Sequence, residues 1–472
     1  MEPMQQIVHD ADPGHGPPAE MEDARHAAPA GRIGAAVPPP PESLEDTGLS
    51  EPFVAGLVMK ALYVRGEALG LELFEQLALP MSVLDDVIEQ LQERRLVEVH
   101  ATRGPRRGEW MFRLTAAGRK RAAEELEVGR YVGPAPVPFE EFVRRVELQA
   151  SEHARFSEAA LRDALSGVVL PDSILQLLGP AINSGRSLFL HGGPGNGKTL
   201  LAERIARLFG ERYYVPYAVL VDGSVMIVHD PVLHGFEPAP GDGASPIDAP
   251  SSEEDDLRRA ILRTLPAHDR RYAEARRPVV VTGGELTLEQ LDLQWDSSGR
   301  MYQAPPQLKA VGGVLVVDDL GRQRVPVRDL LNRWVVPLEH RRDYLTLRSG
   351  RKIVVPFDCF VIFSTNLEPR ALADEAFLRR IHYKIEIPDP DRAEYTRIFR
   401  SCCEERGIPF EESALDYLFD GFYGDGSIVP RRCHPRDVLE HLRHLADYQG
   451  EPALLGPELF GPACHSYFLP SA

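Results

Sequence analysis

Cysteine is scarce in this chain. There are five in 472 residues (Cys359, Cys402, Cys403, Cys433, Cys464), an odd number with no C-x-x-C pair. That excludes a disulfide framework or a zinc-ribbon spacing and fits a reducing compartment. No apolar run approaches the roughly 20 residues of a membrane span. The polar, acidic beginning lacks the basic and apolar segments of a secretory signal, so the expected location is the cytoplasm, with no membrane partner. Positive charge is also in deficit: 53 Lys and Arg stand against 71 Asp and Glu, a formal −18. That balance disfavours nonspecific binding to nucleic acid and leaves room only for a local basic patch. Apolar residues are ample for packed cores, and the length suggests roughly three domains.

The most informative segment present is Gly192-Gly193-Pro194-Gly195-Asn196-Gly197-Lys198-Thr199, which fits G-x-x-x-x-G-K-[ST]. The apolar run Ser187–Leu190 before it predicts a buried strand. The residues from Leu200 to Phe209 predict an amphipathic helix closed by Gly210. Strand, glycine loop and helix N-terminus together aim backbone N–H groups and a positive dipole end at a phosphate. In such a loop Lys198 reaches the β- and γ-phosphates, and the Thr199 hydroxyl ligates Mg²⁺.

Two more apolar strands end in polar residues. Gly313–Val317 runs into Asp318-Asp319, and Phe360–Thr365 runs into Asn366. A carboxylate at a strand tip beside the phosphate loop suits Mg²⁺, which assigns Asp318 to the metal. Its neighbour Asp319 is placed to polarise an attacking water, and Asn366 to hydrogen-bond that water or the γ-phosphate. Parallel strands deliver their C-terminal residues to one crevice, so the ordered set is far more specific than any one strand.

With these motifs in this order, residues 145–450 resemble the AAA+ ATPase family. The resemblance implies an α/β fold: a P-loop three-layer core with a parallel sheet over about 145–388 and a helical lid over 389–472. It implies ATP and Mg²⁺ as ligands and a ring, most often a hexamer. Ala376–Ile381 is similar to the segment carrying an arginine finger that reaches the neighbouring subunit's ATP; Arg380 is the first choice and Arg379 the second. Arg436, at the start of a helix, is similar to the lid arginine that contacts the γ-phosphate. The chain departs from the family at Asp319, where glutamate is usual, and the shorter carboxylate points to slow hydrolysis or a switch-like cycle.

Two hairpin signatures flank the acidic strand. One is Asp343–Leu347 with Lys352–Pro356 around the basic tip Arg348–Arg351; the other is Ala218–Val221 with Ser224–Val228 around Asp222-Gly223. The first is similar to the hairpin of the MoxR-like and enhancer-binding-activator branches. The loop Asp296–Tyr302 is a candidate for presenting an aromatic residue to a substrate.

Residues 1–50 read as a disordered acidic tail and residues 237–277 as an exposed, disordered insertion. Between tail and core, residues 53–130 predict three helices, the third N-capped by Ser82, then two strands around Arg103–Gly108 and a helix capped by Thr115. This order resembles a winged-helix domain. Arg103, Arg106 and Arg107 would touch DNA phosphates, whereas Asp85, Asp86, Glu89 and Glu93 on the third helix would repel them. The expectation is an ATPase that remodels an unidentified protein client, recruited through this unit. A DNA-binding regulator and a P-loop small-molecule kinase are the alternatives.

Overall fold

The computed structural model describes residues 37–150, 155–206, 208, 212–235, 268–372, 375–424 and 426–468. Its centre is a five-stranded sheet. In chain order the strands are β1 (Leu188–His191), β2 (Val279–Thr282), β3 (Val314–Val317), β4 (Phe360–Thr365) and β5 (Tyr383–Glu386). They lie in the order β2-β3-β4-β1-β5, and every pairing is parallel. The strands are short and apolar on both faces because both faces are covered. Leu188, Leu190, Val314, Val316 and Ile362 pack on one side against Leu201, Ala202 and Ile205 of helix α1 (Lys198–Ala206). On the other side Phe189, Leu315, Val317 and Phe363 pack against Leu330, Leu331 and Trp334 of helix α2 (Val327–His340). The order places β1 between β4 and β5, so the loop after β1 opens beside the ends of β3 and β4.

Four helices follow β5: α3 (Arg392–Arg406), α4 (Glu412–Gly421), α5 (His434–Gln449) and α6 (Pro457–Tyr467). They close around an aromatic core of Tyr395, Phe399 and Phe460. Asp391 caps α3 by accepting from the Glu394 backbone N–H.

The N-terminal unit has helices at Glu51–Arg65, Gly70–Leu77, Met81–Glu93 and Ala116–Val128. Its antiparallel sheet has three strands, because Glu67–Leu69 pairs with Trp110–Leu114 beside the expected hairpin partner Val97–Thr102. Thr115 caps the last helix as its sequence position predicts, accepting from Gly118. Ser82 does not cap: the third helix starts at Met81 after Pro80, and the Ser82 hydroxyl donates to the Glu42 carbonyl.

Three further corrections concern segments read as loops. The acidic tail ends before residue 38, since Thr47 and Leu49 are buried; its earlier part lies outside the described residues. The insertion ends before residue 268. Asp269 and Arg271 form a buried ion pair at 2.8 Å, and Arg271 also donates to the Thr47 carbonyl. Residues 272–275 then make a strand paired with Tyr213–Pro216. The hairpin around Asp222-Gly223 forms as its sequence predicts. It joins Val137–Pro138, Gln294–Asp296 and Met301–Gln303 in a second five-stranded sheet. The loop Asp296–Tyr302 is the turn of that sheet's edge hairpin, and Tyr302 is buried, so it presents no aromatic ring to a substrate.

The second sheet ties the N-terminal unit to the core. Ala218 and Val225 belong to the same apolar cluster as Val54, Leu62, Leu73 and Phe112. The N-terminal unit is therefore packed onto the core through shared apolar surface rather than hung from a linker.

Candidate functional site

The glycine loop Gly192–Thr199 runs from the end of β1 into α1. Gly192, Gly195 and Gly197 have φ of 136°, 76° and 79°, a region that costs a side chain strain. At two of these positions neighbours also leave no room. A Cβ on Gly192 would strike the Ile387 carbonyl oxygen, and one on Gly195 would strike the Cys433 sulfur. Gly193 is crowded by the Arg431 guanidinium, which pairs with Asp389. Asn196 is buried and donates to Asp389 Oδ1 at 2.8 Å. The loop is thus held from outside by the start of the helical region, while Pro194, Gly195, Gly197 and the exposed Leu200 line the cleft.

Inside the loop Lys198 is buried. Its Nζ donates to the carbonyls of Gly192 (3.2 Å) and Gly193 (3.0 Å) and to Asn366 Oδ1 (2.8 Å). Burial lowers its pKa below the ordinary lysine value, and the Asp318 and Asp319 carboxylates oppose that. Asn366 at the end of β4 turns its amide the other way and donates to Asp319 Oδ1 at 3.0 Å. Lys198, Asn366 and Asp319 therefore form one chain of hydrogen bonds across the tips of three strands. Beside it Thr199 Oγ1 donates to Asp318 Oδ2 at 2.7 Å. A hydroxyl and a carboxylate in contact are hard oxygen donors of the kind Mg²⁺ takes, so these residues fit that ion.

Asp319 has φ of 48°, the left-handed region that aspartate tolerates better than most residues. The turn after it is clamped. Gln323 Nε2 donates to the carbonyls of Asp318 (3.0 Å) and Asp319 (3.2 Å), and the Leu320 N–H donates to the Ser364 carbonyl. Strain of about 1–3 kcal/mol is held at this residue by the surrounding bonds.

These groups line a cleft of about 590 Å³ between the sheet and the helical region. Its other walls went unassigned in the sequence: Val168 and Val169 before β1, Ile398, Ser401 and Cys402 on α3, and Arg322, Arg432 and Cys433. No motif marks them, because they come from four separate segments. Arg432 is buried and donates to the Val169 carbonyl and to Glu394, which makes it a strut between α3, α5 and the core. Arg436 lines the cleft, with its Nε on Asp437 at 2.9 Å. Arg380 and Arg379 do not line it: Arg380 pairs with Glu339 of α2, and Arg379 is exposed.

The hairpin Arg342–Pro356 forms as its sequence predicts, but its basic tip is engaged. Arg351 pairs with Asp222 at 3.0 Å, and the Arg348 guanidinium lies over the Trp295 ring. In the N-terminal unit Arg107 is engaged too. It donates to the Asp85 carbonyl, approaches Glu89 at 3.6 Å and lies over Trp110. No described helix is long and apolar enough to cross a membrane.

Residues 391–466 match a family described as "Domain of unknown function (DUF8689)". No curated protein matches the chain. Among solved structures the chain is similar to NtrX from Brucella abortus, at 14% identity and a TM-score of 0.36, covering 63% of this chain and 56% of that one. It is also similar to NtrX in complex with ADP, at 14% identity and a TM-score of 0.37, covering 76% and 68%. A third likeness is to the RuvB Holliday junction branch migration motor of Thermotoga maritima, at 13% identity and a TM-score of 0.33, covering 62% and 67%. The chain thus spans little more than half the length of the first of these structures.

Proposed function

We propose that this chain is an AAA+ ATPase that converts ATP hydrolysis into remodelling of a macromolecular partner. The observation that carries this reading is the convergence at the sheet edge. The loop after β1, Asp318-Asp319 after β3 and Asn366 after β4 meet within hydrogen-bonding distance at the mouth of one cleft. Loop N–H groups and Lys198 bind the phosphates. Thr199 and Asp318 hold Mg²⁺, which when bound neutralises phosphate charge. Asp319 takes the proton of the attacking water, and Asn366 fixes the water and the carboxylate relative to Lys198. The apolar wall of Val168, Val169 and Ile398 receives the base. The helical region acts as a lid through Arg436, and Arg380 or Arg379, lying outside the chain's own cleft, reaches the site of a neighbouring subunit in a ring.

The N-terminal unit is the recognition module of this reading, a winged helix that binds protein in preference to DNA. What favours protein is the engagement of Arg107 by the Asp85 carbonyl and the Glu89 carboxylate. The acids of the third helix offset the basic turn within the unit itself.

The test is ATP turnover by the purified full chain and by Lys198→Ala and Arg380→Ala variants, each alone and then mixed. Neither variant alone turns over ATP, and mixing restores activity if each site is completed by a neighbour. Phosphoryl transfer to a small acceptor by an Arg380→Ala chain would replace this reading with a kinase.

A further inference from the structure

Three arginines line the cleft: Arg322, Arg432 and Arg436. Arg432 is held by Glu394 and Arg436 by Asp437. Arg322 makes no ion pair among the described residues, although it lines the same cleft as Asp318 and Asp319. Its backbone is nevertheless fixed. The Arg322 N–H donates to the Asp319 carbonyl at 2.9 Å, closing the turn that Gln323 clamps from the other side. Gly321, with φ of 108°, permits this turn, and the Gly321 N–H donates to Gln323 Oε1 at 2.8 Å. The result is a fixed turn, directly after the proposed water-activating residue, that holds the exposed Arg322 at the edge of the cleft. Guanidinium is suited to such a task, because its planar donor fork matches phosphate oxygens and its charge is permanent.

We propose that Arg322 is a contact for the terminal phosphate, supplied by the same chain whose loop binds the nucleotide, so that it distinguishes a triphosphate from a diphosphate. This rests on the nucleotide-binding reading above. It adds a cation to a site where Asp318 and Asp319 bring two negative charges close to the phosphates.

The test is calorimetric binding of the non-hydrolysable analogue AMP-PNP and of ADP, each with Mg²⁺, to the full chain. Arg322→Ala weakens AMP-PNP about tenfold or more and leaves ADP within about twofold, the loss expected of one charge-assisted bond. Arg322→Lys falls between the two. Arg324→Ala, which removes an exposed arginine outside the cleft lining, changes neither ligand. Equal weakening of both ligands means that Arg322 only supports the turn, and no weakening of either means that it is a solvated surface group; each overturns the proposal. Lys198→Ala separates the two levels of inference. If that variant still binds both ligands as the parent does, the nucleotide reading fails; if it loses both while Arg322→Ala behaves as the parent, only the role of Arg322 fails.

Discussion

The cleft and the N-terminal unit use the same kinds of side chain to opposite ends. In the cleft, Lys198, Asn366, Asp319, Thr199 and Asp318 bond to one another around a void of about 590 Å³. In the N-terminal unit, Arg107 also meets the exposed Glu89 carboxylate and the Asp85 carbonyl, but at the surface, over the Trp110 ring. Bonds that border an open volume can be exchanged for bonds to a ligand at little net cost. Bonds that tie a turn to a neighbouring helix hold those two elements together. What marks a site is thus the space the charged residues enclose and the rigidity of what carries them.

Five substitutions at four positions sharpen or break this contrast. Lys198→Ala has the largest expected effect, a loss of ATP affinity of about 100-fold or more from removal of a preorganised cation; calorimetry on the full chain measures it, and unchanged affinity would remove the cleft from the comparison. Asp319→Asn comes next. Asparagine keeps the left-handed backbone and the hydrogen bond but cannot take a proton. Single-turnover hydrolysis should fall about 100- to 10,000-fold with ATP affinity nearly unchanged. Asp319→Glu should retain activity, and a rise above the parent rate would identify the short carboxylate as the brake.

Gly118→Ala probes the other region. Its Cβ would collide with the Leu96 carbonyl oxygen, so overpacking should cost about 1–3 kcal/mol and lower the Tm. ATP affinity should stay as in the parent; a parallel loss of affinity would show that the shared apolar cluster couples the two regions. The smallest effect is expected at Asp85. Burial raises its carboxyl pKa above the ordinary carboxylate value, against the pull of Arg107. The folded state therefore disfavours the ionised form, and stability is lost as pH rises through the raised pKa. Asp85→Asn should have a slightly higher Tm than the parent at pH 7 and the same Tm near pH 3, where both states are protonated. A lower Tm at pH 7 would mean that attraction to the Arg107 charge outweighs the cost of burying the carboxylate.

Much of the core was legible because its signals are local. The loop from Gly192 to Thr199, the strand ending at Asp318 and the strand ending at Asn366 each occupy fewer than ten residues. The second sheet was only half legible. Its strands come from residues 137 to 303, and Met301–Gln303 pairs in parallel with Ser224–Ile227 across the undescribed 236–267 segment. A three-residue strand such as Glu67–Leu69 has too little pattern to be seen without its partner. The readings of Ser82 as a cap and of Asp296–Tyr302 as a substrate loop failed for one reason: each judged a polar or turn segment without the surface packed against it.

By itself the sequence determined the glycine loop after β1, the two carboxylates after β3 and the amide after β4. Apolar strands with polar ends can pack in few ways, and the loop's φ angles demand glycine. The tertiary structure alone decided which charges are spoken for. Arg107, Arg351, Arg431 and Arg432 look alike in the sequence, yet each meets a carboxylate brought from elsewhere in the chain, while Arg322 meets none among the described residues. Charge pairing depends on distance in space, and that distance exists only once the sheet order has brought the partners together.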